Sequence, residues 1–443
     1  MPKAPPGVER GFFYGASEGP AGGYGRRKRA VLTLPPHHPD FIMLRALRPL
    51  TLAAAALLLG SCASGRITRL DGSRIRADEL TRRIQQITDS ARVHGLAVAV
   101  FNDGRAVYRH AFGVKSTATK VPLQFDTEFY GASLSKAVFA VLVLKLVEEG
   151  QLSLDEPLQR YLPQPIYEYA PKTRWHDDYR ALRRDSLYQR ITARMCLAHT
   201  AGFANWRWDE PDQQLRVHGR PGTRYSYSGE GLVYLQVVLE HKLGRPLEAL
   251  MQEKVFGPLG MSTSSYQWQP RFEADYALGH DATGKVLEKD KDNEPRSAST
   301  LETTPADYTR FLEAVLQQKL LRPESWRELL HPQVAIHSRA QFGPLARQDT
   351  TLYDHLQLAY GLGWGLLQSP YGTGAFKEGH GDGFQHYSIL FPQQGIGVLL
   401  MSNSDNAESA YLSLLRVTIA DKFTPVGWQN YQPYYRTPAA AGR

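Results

Sequence analysis

Cysteine is nearly absent. The 443 residues contain two, Cys62 and Cys196, which excludes a disulfide framework as the source of stability. Long apolar runs are missing as well: Leu52 to Leu59 is too short to span a bilayer. No internal repeat is present, which rules out a repeat architecture. Nor does one sign of charge dominate. The formal net charge is +8, but the first 61 residues carry eight Lys and Arg against three Asp and Glu, so the remainder stands at +3. That balance gives no basic footprint for a nucleic-acid partner. His176-Asp177-Asp178 invites a metal reading, yet adjacent residues on an extended segment point in alternate directions and chelate poorly. No metal or cofactor is expected, and 163–190 reads as a surface insertion.

What is present is a globular composition, 42% hydrophobic and 22% charged, long enough for a large core. The ends differ from the middle. Residues 1–42 are Gly- and Pro-rich with the basic run Arg26-Arg27-Lys28-Arg29, and read as a disordered extension or a start assigned upstream of Met43. From Met43 the pattern is that of a signal peptide over 43–61: Arg45 and Arg48, then the short apolar run, then Leu59-Gly60-Ser61-Cys62. That last stretch resembles a bacterial lipoprotein signal, which implies acylation of Cys62. The implied location is the cell envelope, held to a membrane by lipid, at the outer membrane in a Gram-negative source. Cys196, between Met195 and Leu197, reads as a small buried hydrophobe.

After a polar tether over 62–78, one domain is expected over 79–422, with a tail at 423–443. Leu80, Ile84 and Ile87 predict a helix. Leu96 to Asn102 and Ala106 to Phe112 predict a hairpin turning at Asp103-Gly104. Helices are expected at Ser133, Thr192, Leu232–Leu243, Leu247–Val255 and Ala306–Leu316, the last opened by Pro305. Strands return over Gly361–Leu367, Gly374–His380, Gln385–Phe391 and Ile396–Ser402, and Glu408–Ile419 closes as a helix. The expectation is an α+β fold: an antiparallel sheet from both termini, flanked by helices, with a mainly helical region inserted.

Ser133-Leu134-Ser135-Lys136 opens the apolar helix that carries Val138, Leu142 and Leu146. A Ser and a Lys three positions apart share a helix face, so a Lys of depressed pKa can take the Ser proton. Alone the motif is weak, and a solvated Lys on a core helix is its bland reading. Tyr227 alone reads as a core aromatic, and His380 alone is balanced between surface and site until its Gly flanks are counted.

Taken together, Ser133-Leu134-Ser135-Lys136, Tyr227-Ser228-Gly229 and Gly379-His380-Gly381-Asp382-Gly383 lie in one order. With His199-Thr200-Ala201-Gly202 and Tyr360-Gly361-Leu362-Gly363-Trp364, they resemble the serine β-lactamase-related family, from about residue 80 to about 420. The family spans class C β-lactamases, D-alanyl-D-alanine carboxypeptidases, D-aminopeptidases and esterases, and implies a β-lactamase/transpeptidase-like fold. By that resemblance Ser133 is the acyl-enzyme nucleophile, Lys136 holds or accepts its proton, and Tyr227 relays protons, its phenolate stabilised by Lys136. His380 takes the family's Lys or His position, Gly383 offers an oxyanion-hole amide beside that of Ser133, and His199 is structural support.

Two departures bear on substrate. Gly229 stands where strong β-lactamases carry Asn, and Asp382 takes the place of a Gly, adding negative charge where a carboxylate would dock. The implied function is hydrolysis of an ester or a D-amino-acid amide, on a small-molecule or peptide substrate that includes peptidoglycan-derived ones. The alternatives are an envelope binding protein of the same fold with little turnover, and a β-lactamase.

Overall fold

The computed structural model describes residues 65–292 and 294–436. The expected extension, signal peptide and Cys62 lie outside the described residues. The chain divides into two units between Ser61 and Cys62, and every described residue belongs to the second.

The expected tether is structured where it is described. Arg66–Thr68 and Arg74–Arg76 pair antiparallel and bury Ile67 and Ile75. Three apolar residues among charged ones carry no periodicity, so the sequence hides this hairpin. Helix α1 (Ala77–Ala91) follows, burying Leu80 and Ile84.

An eight-stranded, wholly antiparallel sheet organises the domain. Its strands are β1 (Gly95–Asn102), β2 (Arg105–Gly113), β3 (Val334–Ala335), β4 (Ala359–Tyr360), β5 (Gly365–Ser369), β6 (Gly372–Gly381), β7 (Phe384–Phe391) and β8 (Ile396–Ser402). Their order across the sheet is β2-β1-β8-β7-β6-β5-β4-β3. The first hairpin thus joins the last strand, as expected of a sheet built from both termini. All residues of β1, β7 and β8 are buried, because apolar layers cover both faces.

One face is covered by α1 and the closing helix (Ala407–Ile419), with Tyr387, Tyr411, Leu414 and Trp428 in a common cluster. The tail expected from 423 belongs to this layer: Trp428 and Tyr431 are buried beneath β6 and β7. Its aromatics fall at irregular spacing, which is why the sequence shows no element there.

The opposite face carries the inserted helices. Here α2 (Ser135–Glu148) is buried from Ser135 to Leu144, the mark of a helix apolar all round. It packs among α3 (Gly229–Leu243) and α4 (Pro305–Leu316), whose N-caps Ser228 and Thr304 accept from backbone N–H groups. The loop at Gly363 presses against α2: a Cβ there would lie 3.0 Å from the Lys136 carbonyl oxygen, so only glycine fits, at φ +81°. The 163–190 stretch is no surface insertion. Ile166, Tyr179, Leu182 and Tyr188 are buried in the same core, delivered by short 3-10 turns rather than by a periodic element. Among the described residues no helix is long and apolar enough to cross a membrane.

Candidate active site

The site grows from the start of α2. One 3-10 turn, Ala132–Leu134, precedes the helix, and Ser133 sits in it. Ala132 holds a left-handed φ of +48°, a conformation costing about 1–2 kcal/mol for a residue with a Cβ. The turn is over-determined: Leu301 N–H donates to Ser135 Oγ at 3.0 Å, and Tyr266 Oη donates to the Ser135 carbonyl at 2.5 Å. Ser133 is left half-buried while its neighbours are closed off.

One turn further, Lys136 is fully buried, with Nζ 2.8 Å from Ser133 Oγ, and it donates to the Ala298 carbonyl at 2.7 Å. Burial, and then the nearby Lys377 charge, holds its pKa well below the usual lysine value. The shift favours the neutral amine, the form able to take the serine proton.

Tyr227 arrives from the loop ahead of α3. Ser228 N–H donates to His199 Nδ1 at 3.1 Å, and the His199 ring lies 4.2 Å from that of Tyr227. His199 thus acts as the support the sequence suggested. The Tyr227 ring sits 4.9 Å from Lys136 Nζ. Burial, reinforced by the Glu378 carboxylate, raises its pKa well above that of free tyrosine. The phenolate expected from Lys136 is absent at rest: Tyr227 is a phenol that can pass a proton on.

The third contributor was missed. Lys377 Nζ donates to Tyr227 Oη at 3.3 Å and pairs with Glu378 Oε1 at 3.0 Å, both residues being fully buried. In β6 the positions 375, 377, 379 and 381 face the start of α2: a Cβ on Gly379 would touch the Gly131 carbonyl, and one on Gly381 the Tyr130 ring. Positions 376, 378 and 380 start towards the other layer. β5 pairs with β6 only as far as Phe376, so that edge lies open from Lys377 onward and Glu378 reaches Gln341 Nε2 at 2.6 Å.

This alternation corrects three expectations. His380 is not in the constellation: Nε2 is 2.8 Å from Glu408 and 3.1 Å from Tyr431 Oη, on the far face. Gly383 offers no free amide, since its N–H donates to Asp405 Oδ1 at 3.1 Å across the hairpin turn. Asp382 is exposed at that turn rather than directed at Ser133. The signal for the correct register was in the sequence: Lys377-Glu378-Gly379 has the Lys-x-Gly form, three residues before His380.

Gly229 takes a different part from the one expected. Its N–H is shared by the backbone and side-chain oxygens of Asn205, each at 3.0 Å, and a Cβ there would stand 2.5 Å from the Trp206 ring. Trp206 therefore fills the space beside α3, 6.0 Å from Lys136 Nζ. It stacks on Trp208 at 5.0 Å and meets Trp175 edge-on at 6.0 Å. Arg207 fixes this aromatic patch. Buried against Glu230 at 2.8 Å, it donates to the carbonyls of Trp175 and Asp178 at 2.7 and 2.8 Å.

Among the described residues no group of three or more His, Cys, Asp or Glu is placed to hold a metal ion. Cys196 is buried and unpaired, its thiol pKa pushed up by burial.

A sequence profile of the Beta-lactamase family matches residues 80–419. The chain is 24% identical over 344 residues to the D-alanyl-D-alanine-carboxypeptidase/endopeptidase AmpH of Escherichia coli (strain K12), covering 73% of this chain and 83% of that protein. It is 28% identical over 331 residues to the lovastatin esterase of Penicillium rubens, covering 64% and 81%. Among solved structures, EstCE1, a hydrolase with promiscuous acyltransferase activity, superposes with a TM-score of 0.62 at 20% identity, over 77% of this chain and 98% of that one.

Proposed function

The chain belongs to the Beta-lactamase family and is a serine hydrolase, and from that premise we propose that Ser133 is its nucleophile, cleaving an ester or a D-amino-acid amide. The observation that carries the assignment is a buried amine, Lys136, 2.8 Å from the Ser133 hydroxyl.

In the first half-reaction Ser133 Oγ attacks the substrate carbonyl while Lys136 Nζ takes its proton. The oxyanion is received by the Ser133 N–H and by the Gly379–Gly381 backbone lying against that turn; such donors contribute about 3 kcal/mol each. The proton reaches the leaving oxygen or nitrogen through Tyr227, whose phenol lies between Lys136 and Lys377. Water then attacks the acyl-Ser133 ester, giving its proton to the same relay and restoring the hydroxyl.

Turnover of a 4-nitrophenyl ester and labelling by a fluorophosphonate test this. Ser133→Ala should abolish labelling and lower kcat by about 10⁴-fold or more. Unchanged labelling would remove Ser133 from the reaction.

The carboxypeptidase relative supports peptides ending in D-alanine as substrates, and the esterase relative supports carboxylic esters. We also propose that Cys62 carries lipid and holds the domain at the cell envelope, on the Leu59-Gly60-Ser61-Cys62 pattern. Incorporation of labelled palmitate that survives Cys62→Ala would refute it.

A further inference from the structure

Trp206, Trp208 and Trp175 form an aromatic wall on one side of the nucleophile, and the acyl-transfer steps use none of them. Trp206 stands 6.0 Å from Lys136 Nζ, and its ring stacks on that of Trp208 at 5.0 Å with 17° between the planes. Trp175 meets both edge-on, at 6.0 and 4.8 Å. The wall is not sealed into the core: Trp206 and Trp175 are half-buried, and Trp208 is 40% exposed. Indole surface left in water is unfavourable, and a contiguous apolar patch beside a reactive group is a place for a ligand.

The wall is held rigid from below. Arg207 lies between the two stacked tryptophans in sequence. Its backbone N–H and its Nε donate to Glu230 Oε1, both at 2.9 Å, and Nη2 donates to Oε2 at 2.8 Å. Nη1 donates to the Trp175 carbonyl at 2.7 Å, so one buried guanidinium fixes both loops that carry the indoles. A surface fixed in advance loses little freedom when a ligand arrives. Gly229 completes the arrangement, because the six-membered ring of Trp206 fills the space that a side chain at the start of α3 would enter. Where a polar side chain there would offer a hydrogen bond, this chain presents an aromatic ring.

The proton path says which part of the substrate meets the wall. Tyr227 passes the proton to the leaving group, and its Oη faces Lys377 of β6 at 3.3 Å, so the leaving group departs on that side. Trp206 lies on the α3 side of Lys136, against Gly229, and that side is left to the acyl group.

Given the serine-hydrolase assignment, on which this rests, we infer that Trp206 and Trp208 form an acyl-side subsite for a flat aromatic ring. The substrates it favours are esters or amides of aryl-substituted acids. An aryl ring gains more from the indoles than the loss of its own hydration. Ring edges and faces carry opposite partial charge, and such contacts add roughly two- to tenfold beyond area burial. A saturated ring of the same size gains the area term alone.

The test is a matched pair of esters, 4-nitrophenyl phenylacetate and 4-nitrophenyl cyclohexylacetate. Each kcat/KM is divided by the rate constant of that ester with hydroxide, so that intrinsic reactivity cancels. We expect the corrected ratio to favour the aryl ester by at least about threefold in the wild type. Trp206→Leu, which keeps an apolar side chain and removes the ring, should lose at least half of that preference. A wild-type ratio below about threefold would overturn the inference, as would a Trp206→Leu variant that keeps more than half of the wild-type preference. Trp208→Leu, on the exposed outer ring, gives the same reading should Trp206→Leu fail to accumulate, and the wild-type ratio stands by itself. Failure of the hydrolase assignment looks different: neither ester would show turnover that Ser133→Ala removes.

Discussion

Replacing Lys136 by Met should remove activity and make the stability difference between variant and wild type depend on pH. The lysine is fully buried, and its folded pKa lies well below 10.5, through burial first and the Lys377 charge second. Between that folded value and 10.5 the unfolded chain binds one more proton at this position than the folded chain. Unfolding free energy of the wild type therefore rises with pH across the window, by up to about 1.4 kcal/mol per pH unit. Above 10.5 both states are neutral and the slope vanishes. The Lys136→Met variant has no such slope, so the difference between the two proteins isolates this one group. The substitution also abandons the Ala298 carbonyl, which leaves a buried acceptor unpaired at about 1–3 kcal/mol. That penalty is independent of pH and shifts the difference without tilting it. The assay is urea unfolding of both proteins at half-unit steps from pH 7 to pH 10. The wild type should gain on the variant as pH rises, and kcat/KM of the wild type should fall on the acid side through the same folded pKa. A stability difference that stays flat with pH would mean Lys136 is charged at rest, and the amine could not be the base.

Two further outcomes follow from the aromatic patch. Arg207→Ala should lower stability by about 3–5 kcal/mol, because Glu230 is left buried without its partner; the double variant Arg207→Met with Glu230→Leu should recover most of that loss, measured by urea unfolding. Gly229→Ala should lower kcat by displacing Trp206, whose ring stands 2.5 Å from the added Cβ. The added substitution Trp206→Ala should restore kcat, and an unaltered rate in Gly229→Ala alone would contradict the close approach.

Local chemistry was legible in the sequence where it was local. Ser133 and Lys136 share one helix turn, so their spacing announced the contact, and the hairpin at Asp103-Gly104 was signalled by its turn residues. The sheet followed from strands of alternating or continuous apolar character at both ends. What could not be read was the phase of a strand whose two faces both end buried. In β6, Lys377, Glu378 and His380 all look polar and near a glycine, and only the packing of Gly379 against the start of α2 decides which of them faces the nucleophile. Trp206 was hidden for another reason. Its place depends on Arg207 meeting Glu230, a pairing between a loop and a helix that no periodicity reports. The same holds for Tyr179, Tyr188 and Trp428, large side chains buried from irregular backbone.

The segment around Trp428 reaches the chemistry by a short relay. Gln341 N–H donates to the Trp428 carbonyl at 2.8 Å while its side chain grips Glu378, and Tyr431 lies 3.1 Å from His380. Trimming the protein before Trp428, or a fusion that pulls this end outward, would loosen the clamp on that glutamate and so disturb its ion pair with Lys377, the partner of Tyr227, with Ser133 and Lys136 still in place.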